Sequence, residues 1–511
     1  MNRRTFLKRS AACGSVLTLG SALEGCSRRP HEPFSLGVAS GEPRPDGVVL
    51  WTRLAPDPLN GGGMPHRPVE VEWQVAEDEA FRKNLRQGTT IAHPAVAHSV
   101  HVELRTLRPG ASYWYRFRAG SEISPTGRTK TAPALHTRPG GLTFAFASCQ
   151  NYEHGLFTAY SQMAKDDLDL VVHVGDYIYE AEAHTSGARS HGPQECVSLR
   201  EYRDRYALYK SDPALQAAHA AFPFVVTFDD HEVEDNYAGE MPKADSDTPL
   251  RDPFLRRRAN AYRAYWEHLP LRQSSFPRGP NMSLFRRLAF GRLLSLNVLD
   301  TRQYRSDQPC GDSVQARCVG SLDDVATMTG PRQERWLLGG LARSEARWNL
   351  IAQQTLLSQL RLDPATTGAF GMDSWDGYVA ARARLTRFLS EGGVQNPIVV
   401  SGDTHASWVN EVKADFDDPH SPVVAIELGG PSITSECLPE FVARVQRALP
   451  DNPHIRFFEG TRHGYVRCHA SPDRLRADYR VVTTVWEPGA AALTLAAFEI
   501  GDGSPRPRRV A

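Results

Sequence analysis

The chain has 511 residues, and 59 lysines and arginines are matched by 59 aspartates and glutamates, so the formal net charge is zero. A composition 41% hydrophobic and 23% charged is that of a globular protein with one large domain and a smaller module. The even balance excludes partners recruited by the field of the whole chain, such as nucleic acid or an anionic membrane surface.

Residues 1–30 read as an address label. Arg3 and Arg4 stand in a basic start with Phe6, Leu7 and Lys8, and a mild apolar run over 10–23 follows, too short to span a bilayer stably. This resembles a twin-arginine export signal, which implies the twin-arginine translocation machinery as a partner and a periplasmic or extracellular destination. Leu23, Glu24, Gly25 and Cys26 resemble a lipoprotein signal with Cys26 acylated. Glu24 fits that pattern poorly, and plain cleavage nearby is the alternative. Beyond this segment no stretch approaches the ~20 apolar residues of a membrane-spanning helix. Cys310 and Cys318 enclose a short polar segment, and an oxidising compartment favours a local disulfide there over two free thiols.

The span 34–133 reads as strand after strand. An apolar run over 47–52 is followed by alternating segments at 69–75, 100–104 and 113–117, the last with aromatics at Tyr113, Tyr115 and Phe117. A period of two turns one set of side chains inward, as a half-buried strand of a sandwich requires. Turn clusters at 55–58, 60–63 and 108–111 separate the strands, and the segment before Tyr113 resembles a fibronectin-III-type β-sandwich. Its predicted role is to cover or support a site, since it holds no ligand cluster.

After a linker over 131–141 the grammar changes. Apolar runs lie at 142–147, 168–174, 224–228, 293–299, 348–352 and 397–400, with helical patterns between them at 199–209 and 253–266. Apolar strands alternating with helices predict an α/β layered core over 142–480, followed by a C-terminal strand and tail over 481–511. His173, inside an apolar run, reads as a core histidine.

Four of these strands end in residues able to bind metal. The first leads into Ser148 and Cys149, the second into Gly175, Asp176 and Tyr179, the third into Asp229, Asp230 and His231, and the last into Asp403 and His405. Each cluster alone reads equally as a turn, a cap or a solvated loop. In open α/β sheets ligands bind beyond the carboxyl ends of the strands, so all four together predict one crevice.

These segments, together with Leu299 to Arg305 and Trp375 to Tyr378, resemble the PhoD-type alkaline phosphatases, relatives of Streptomyces phospholipase D within the calcineurin-like metallophosphoesterases. The resemblance runs from the export signal to near Arg480. It implies an α/β fold with a four-layer αββα core behind the small all-β domain, and iron(III) with calcium as cofactors. It also implies that Cys149, Asp176, Tyr179 and His405 hold the iron, with Asp176 bridging to a calcium completed by Asp230 and Asp403, and Asp229 a further contributor. Carboxylates stand here where related enzymes carry neutral ligands, which suits calcium, a hard cation that takes oxygen. Thiolate, phenolate and carboxylate suit iron(III).

The function so implied is an exported metal-dependent phosphoesterase acting on phosphate monoesters and, beside them, diesters, by attack of a metal-held hydroxide. His231 is placed to protonate the leaving group as a general acid. Arg302, after the strand at 293–299, is a phosphate clamp or a structural salt bridge. Asp373, Trp375 and Tyr378 wall the pocket or cap a helix. Two other functions fit less of the sequence: a phospholipase D acting on lipid headgroups, and a secreted binding module with an inactive site.

Overall fold

A computed structural model describes residues 32–183, 187–243, 246, 250–363 and 368–511. The segment expected to be an export signal, residues 1–30, and Cys26 within it lie outside the described residues. Two large sheets carry the fold. The first has ten strands, in the spatial order Pro507–Arg509, Ala492–Gly501, Arg474–Val482, Gly464–Ala470, Leu142–Ala147, Leu170–His173, Pro223–Val226, Val38–Arg44, Gly47–Arg53 and Ser99–Glu103. The second has seven, in the order Arg286–Phe290, Leu294–Val298, Trp348–Ala352, Pro397–Ser401, Val423–Gly429, Ser407–Lys413 and Ile455–Glu459.

Each sheet has a parallel centre and antiparallel flanks. Leu142–Ala147, Leu170–His173 and Pro223–Val226 run parallel, as do Leu294–Val298, Trp348–Ala352, Pro397–Ser401 and Val423–Gly429. Parallel strands buried on both faces read as unbroken apolar runs, which is why these segments stand out in the sequence. Phe144, Phe146, Val172 and Val225 of the first sheet share one core cluster with Leu296, Leu350, Val400 and Leu428 of the second. The intervening residues Ala145, Ala147, Val171 and Phe224 face the opposite way, onto Tyr202 and Tyr206 of the helix Leu199–Lys210 and Tyr262 and Tyr265 of Arg251–His268. On the second sheet Ile351 and Val399 turn toward Leu337 of Gly330–Ala342 and Leu385 of Val379–Glu391. The observed architecture is a mixed α/β fold whose central strands bury both faces.

The helix Leu199–Lys210 opens on a capping box: the Ser198 hydroxyl accepts from the backbone of Glu201, and the Glu201 carboxylate accepts from the Ser198 backbone. Its buried side carries Tyr202, Tyr206 and Tyr209, at helical spacing.

The amino-terminal segment is all-β, with Val48, Leu50, Val71, Val75 and Tyr115 in a common core. One of its faces is a smaller sheet built on Arg86–Ala92, Val69–Ala76, Ser112–Ala119 and Glu122–Ile123, with Gly127–Lys130 paired to Ser112–Ala119. Its other face does not stand apart from the rest of the chain. Val38–Arg44 pairs in parallel with Pro223–Val226, Ser40 opposite Pro223, so three amino-terminal strands extend the first large sheet. The carboxy-terminal strand Ala492–Gly501 lies in that same sheet, against Arg474–Val482.

Cys310 and Cys318 form a disulfide. His173 is fully buried, and desolvation lowers its pKa to about 3, so it is a neutral core residue. Among the described residues no helix is long and apolar enough to cross a membrane.

Candidate metal centre and active site

The parallel strands of both sheets release their chains toward one place. Cys149 follows Leu142–Ala147, Asp176 follows Leu170–His173, Asp229 to Glu232 follow Pro223–Val226, and Asp403 and His405 follow Pro397–Ser401. Two glycines let the loops close on one another. A Cβ on Gly175, at φ +119°, would meet Asp229 Cβ at 2.5 Å, and one on Gly402 would collide with the Ser148 hydroxyl. Cys149, Asp176, Asp403 and His405 themselves have φ between 55° and 62°, a left-handed conformation that costs a residue with a Cβ. Such outliers persist only where the surroundings over-determine them, and here all four face the same crevice.

The side chains converge. Cys149, Asp176 and His405 bring ligand atoms within 4.8 Å of one another, as do Asp176, Asp230 and His231, and Asp229, Asp230 and Asp403. Asp176 and Asp230 each belong to two of these groups. The Tyr179 hydroxyl donates to Asp176 Oδ2 at 3.0 Å and lies 3.1 Å from His405 Nε2, which places the phenol beside the thiol-bearing group. Cys149, Asp176, Tyr179 and His405 on one side and Asp229, Asp230 and Asp403 on the other therefore surround two adjoining positions, with His231 beside Asp176 and Asp230. One is bounded by sulfur, phenol, imidazole and carboxylate, the other by carboxylates alone.

His231 stands at the rim, half-buried, with its Nδ1 paired to Glu180 Oε2 at 2.7 Å. Burial lowers its pKa, but Glu180, Asp230 and Asp176 outweigh burial and hold it well above the usual range. Glu180 is correspondingly lowered to about 2, its burial overcome chiefly by His231. Arg302 is completely buried. Its Nε bonds Asp229 and its Nη1 donates to Asp373 at 2.7 Å, while Nη2 lies 3.5 Å from Asp230 and 3.7 Å from Asp403. All four contacts are with carboxylates. Asp373 also takes Arg305 at 2.5 Å, so it ties two guanidiniums together, and it lines the cavity beside Asp403 and His405. Trp375 donates from its indole to Gln353, and Tyr378 donates its hydroxyl to the Ser306 carbonyl; both are buried.

Three participants go unnamed in the sequence reading. Glu232 is fully buried and accepts backbone N–H groups from Asp176 at 3.1 Å, Tyr177 at 2.8 Å and Asp229 at 2.9 Å, clasping two ligand loops. Burial pushes its pKa up to about 8 against those three donors. Glu180 orients His231, and the Ser435 hydroxyl donates to the Tyr179 oxygen at 2.6 Å. Glu180 and Glu232 lie inside the motifs already singled out. Ser435 follows another strand, Val423–Gly429, so the strand-end signal extends to it as well.

The donor set fits cations. Oδ1 of Asp176, Oδ2 of Asp229 and Oδ1 of Asp230 are buried with no hydrogen-bond partner, a costly state for a carboxylate oxygen unless a cation meets it. Burial pushes up Cys149, Asp176, Tyr179 and Asp229, and raises Asp403 to about 7. Asp230 is held low, because Arg302 and His231 overcome its burial. Burial lowers His405 to about 4, leaving the neutral imidazole that a metal ligand must be. More negative charge is assembled than Arg302 and His231 neutralise, and a polyvalent cation reverses the sense of these shifts.

Known proteins share this plan. Residues 144–479 match the family model described as PhoD-like phosphatase, and residues 20–133 match that of the PhoD-like phosphatase N-terminal domain. Likeness to this family over most of the chain makes the protein a phosphoric-ester hydrolase. Alkaline phosphatase D of Bacillus subtilis (strain 168) is 50% identical over 472 residues, covering 91% of this chain and 80% of that protein. The solved structure of PhoD superposes with a TM-score of 0.90 at 48% identity, covering 94% of this chain and 92% of that one. The chain belongs to the PhoD-like phosphatase family.

Proposed function

We propose that the protein is an exported alkaline phosphatase that hydrolyses phosphate monoesters and, beside them, diesters, using iron(III) and calcium. The observation that carries this is a linking group, Asp176, Asp230 and His231, which shares Asp176 with a sulfur- and imidazole-containing group and Asp230 with an all-carboxylate group. Cys149, Asp176, Tyr179 and His405 would hold the iron; Asp229, Asp230 and Asp403, with Asp176 between, would hold the calcium. When bound, the cations supply Lewis acidity that withdraws charge from phosphate oxygens and acidifies water.

The chain's own residues do the rest. Hydrolysis forms one P–O bond from water and breaks the P–O bond to the organic group, whose oxygen must take up a proton. His231 is suited to give it: Glu180 engages Nδ1 and, with Asp230 and Asp176, favours the protonated ring, leaving Nε2 as the donor. Arg302 pairs with Asp229 and Asp373 and balances part of their charge, in keeping with a structural salt bridge; the phosphate clamp is the alternative role.

The two large sheets and the helices on their outer faces constitute, in this reading, the four-layer αββα core, with working units at 34–133 and 142–480 and a strand and tail over 481–511. The paired arginines and the Cys310–Cys318 disulfide support export by the twin-arginine machinery, with Cys26 as a lipid anchor or near a cleavage site.

The metal-loaded full-length chain is expected to release nitrophenol from nitrophenyl phosphate at alkaline pH, and more slowly from the bis-ester, and to lose both activities to a strong chelator. Iron bound by phenolate and thiolate should also give an intense visible band, which Tyr179→Phe shifts or removes. Turnover that survives complete metal removal overturns the reading.

A further inference from the structure

Three groups approach the Tyr179 oxygen. It donates its own proton to Asp176 Oδ2 at 3.0 Å, lies 3.1 Å from His405 Nε2, and meets the Ser435 hydroxyl at 2.6 Å. The Glu436 carbonyl can only accept, so His405 Nδ1, 2.8 Å from it, carries the proton, and Nε2 of the neutral ring has none to offer. The Asn151 backbone N–H can only donate. It meets Ser435 Oγ at 3.1 Å, which commits that oxygen as an acceptor and leaves its single O–H for Tyr179. Among the described residues Ser435 is therefore the hydrogen-bond donor to the Tyr179 oxygen.

The backbone holds this contact in place. Residues 432–435 lie across the Cys149 loop: the Ile433 N–H donates to the Ser148 carbonyl at 3.0 Å, and those of Thr434 and Ser435 to the Cys149 carbonyl at 3.3 and 3.2 Å. The Thr434 hydroxyl donates to the Asn151 carbonyl at 2.6 Å. These bonds position Ser435 without help from its own hydroxyl, so what that hydroxyl adds is the bond to Tyr179. Both side chains are buried, and a hydrogen bond shielded from water is electrostatically stronger than an exposed one.

A phenolate ligand gives charge to its metal, and a proton donor on the same oxygen competes for that charge. The bond is strongest when the oxygen keeps most of its charge, which is the case opposite iron(II) rather than iron(III). We infer that Ser435 is a positioning residue that restrains charge donation by Tyr179 and so preserves the Lewis acidity of the iron. The inference rests on the iron assignment above.

The test uses the iron-loaded full-length chain. The difference spectrum between the native chain and Tyr179→Phe isolates the phenolate band from any thiolate band of Cys149. Ser435→Ala is expected to move that band to longer wavelength, because a phenolate without its donor holds its electrons less tightly. In a redox titration the equilibrium constant for one-electron reduction of the iron is expected to fall about tenfold, at unchanged iron content. Ser435→Thr keeps the hydroxyl and should leave both readouts at their native values. Ser432→Ala removes a neighbouring hydroxyl that bonds the Ser435 carbonyl and His463, and should lower Tm with the band in place. A band that Ser435→Ala leaves unmoved, or that Ser435→Thr or Ser432→Ala moves as far, overturns the role of Ser435 alone. An iron-loaded chain without a band that responds to Tyr179→Phe overturns the iron assignment with it.

Discussion

Glu232 shows how much of this site is made by a residue that touches neither metal nor substrate. Its carboxylate is the common acceptor for three N–H groups on two loops, and those loops carry Asp176, Asp229 and Asp230. Glu232→Gln keeps one acceptor but turns an amide N–H₂ toward backbone donors, leaving at least one buried N–H unpaired at a cost of about 1–3 kcal/mol. The expected outcome is metal retention weakened ~10–100-fold, as for other groups that orient ligands, read by dialysis against a graded chelator. Unchanged metal affinity in a variant that merely melts earlier would make Glu232 a purely structural residue. At this scale the sequence is informative about identity and silent about partnership. Asp176, Asp403 and His405 are legible because strand ends in α/β sheets carry ligands. That Glu180 serves His231, or that Ser435 meets Tyr179, depends on contacts between loops some 50 and 256 residues apart in the chain. Nothing local encodes such pairings.

Among the elements, the helix Leu199–Lys210 joins the catalytic portion to the amino-terminal strands. Trp51 and Ala39 pack with its Ala207. Its last residue, Lys210, is buried with Nζ 4.1 Å over the Trp51 ring, and desolvation lowers its pKa from 10.5 to about 7. Between those two values the unfolded chain holds a proton that the folded chain has released, so stability rises with pH across that window. Below pH 7 both states are charged and the full penalty applies; burial chiefly depresses the imidazoles of His219 and His268, and the Lys210 charge adds to it. Lys210→Met is therefore expected to raise Tm at pH 7, with the gain shrinking toward pH 10.5. A gain that does not vary with pH would show that Lys210 keeps its proton in the fold. The strands and this helix follow from the sequence pattern, because central parallel strands are apolar throughout and the helix repeats its tyrosines at helical spacing. Their spatial order does not, since the choice of neighbour is settled by packing between faces that look alike in sequence.

For the whole molecule, that choice of neighbour changes what the amino-terminal segment is. Read along the chain it is a separate sandwich; folded, it completes the sheet that carries three of the four ligand loops. The join is polar as well as apolar: Arg286 Nε donates to Glu42 at 2.8 Å, the Trp51 indole donates to the Glu267 carbonyl at 3.0 Å, and the His101 ring stacks on Trp266 at 3.8 Å. Removing it strips the partner from Pro223–Val226 and leaves an unpaired apolar edge, which is a template for aggregation. Residues 142–511 expressed alone are expected to be aggregated by size-exclusion chromatography. A soluble monomer with full metal content would show that the amino-terminal strands are dispensable to the catalytic unit.

The pairing of Ser40 with Pro223 also sets an order of events during synthesis. Val38–Arg44 waits for its parallel partner, made about 180 residues later, roughly 10–40 s at ~5–20 residues per second. Until then Val38–Arg44 has only its hairpin neighbour Gly47–Arg53 to pair with, and the sheet that carries three of the four strand-end loops is unfinished. Closure of this sheet is thus a late event: a chain halted before residue 223 lacks the strand that joins its amino-terminal portion to the rest.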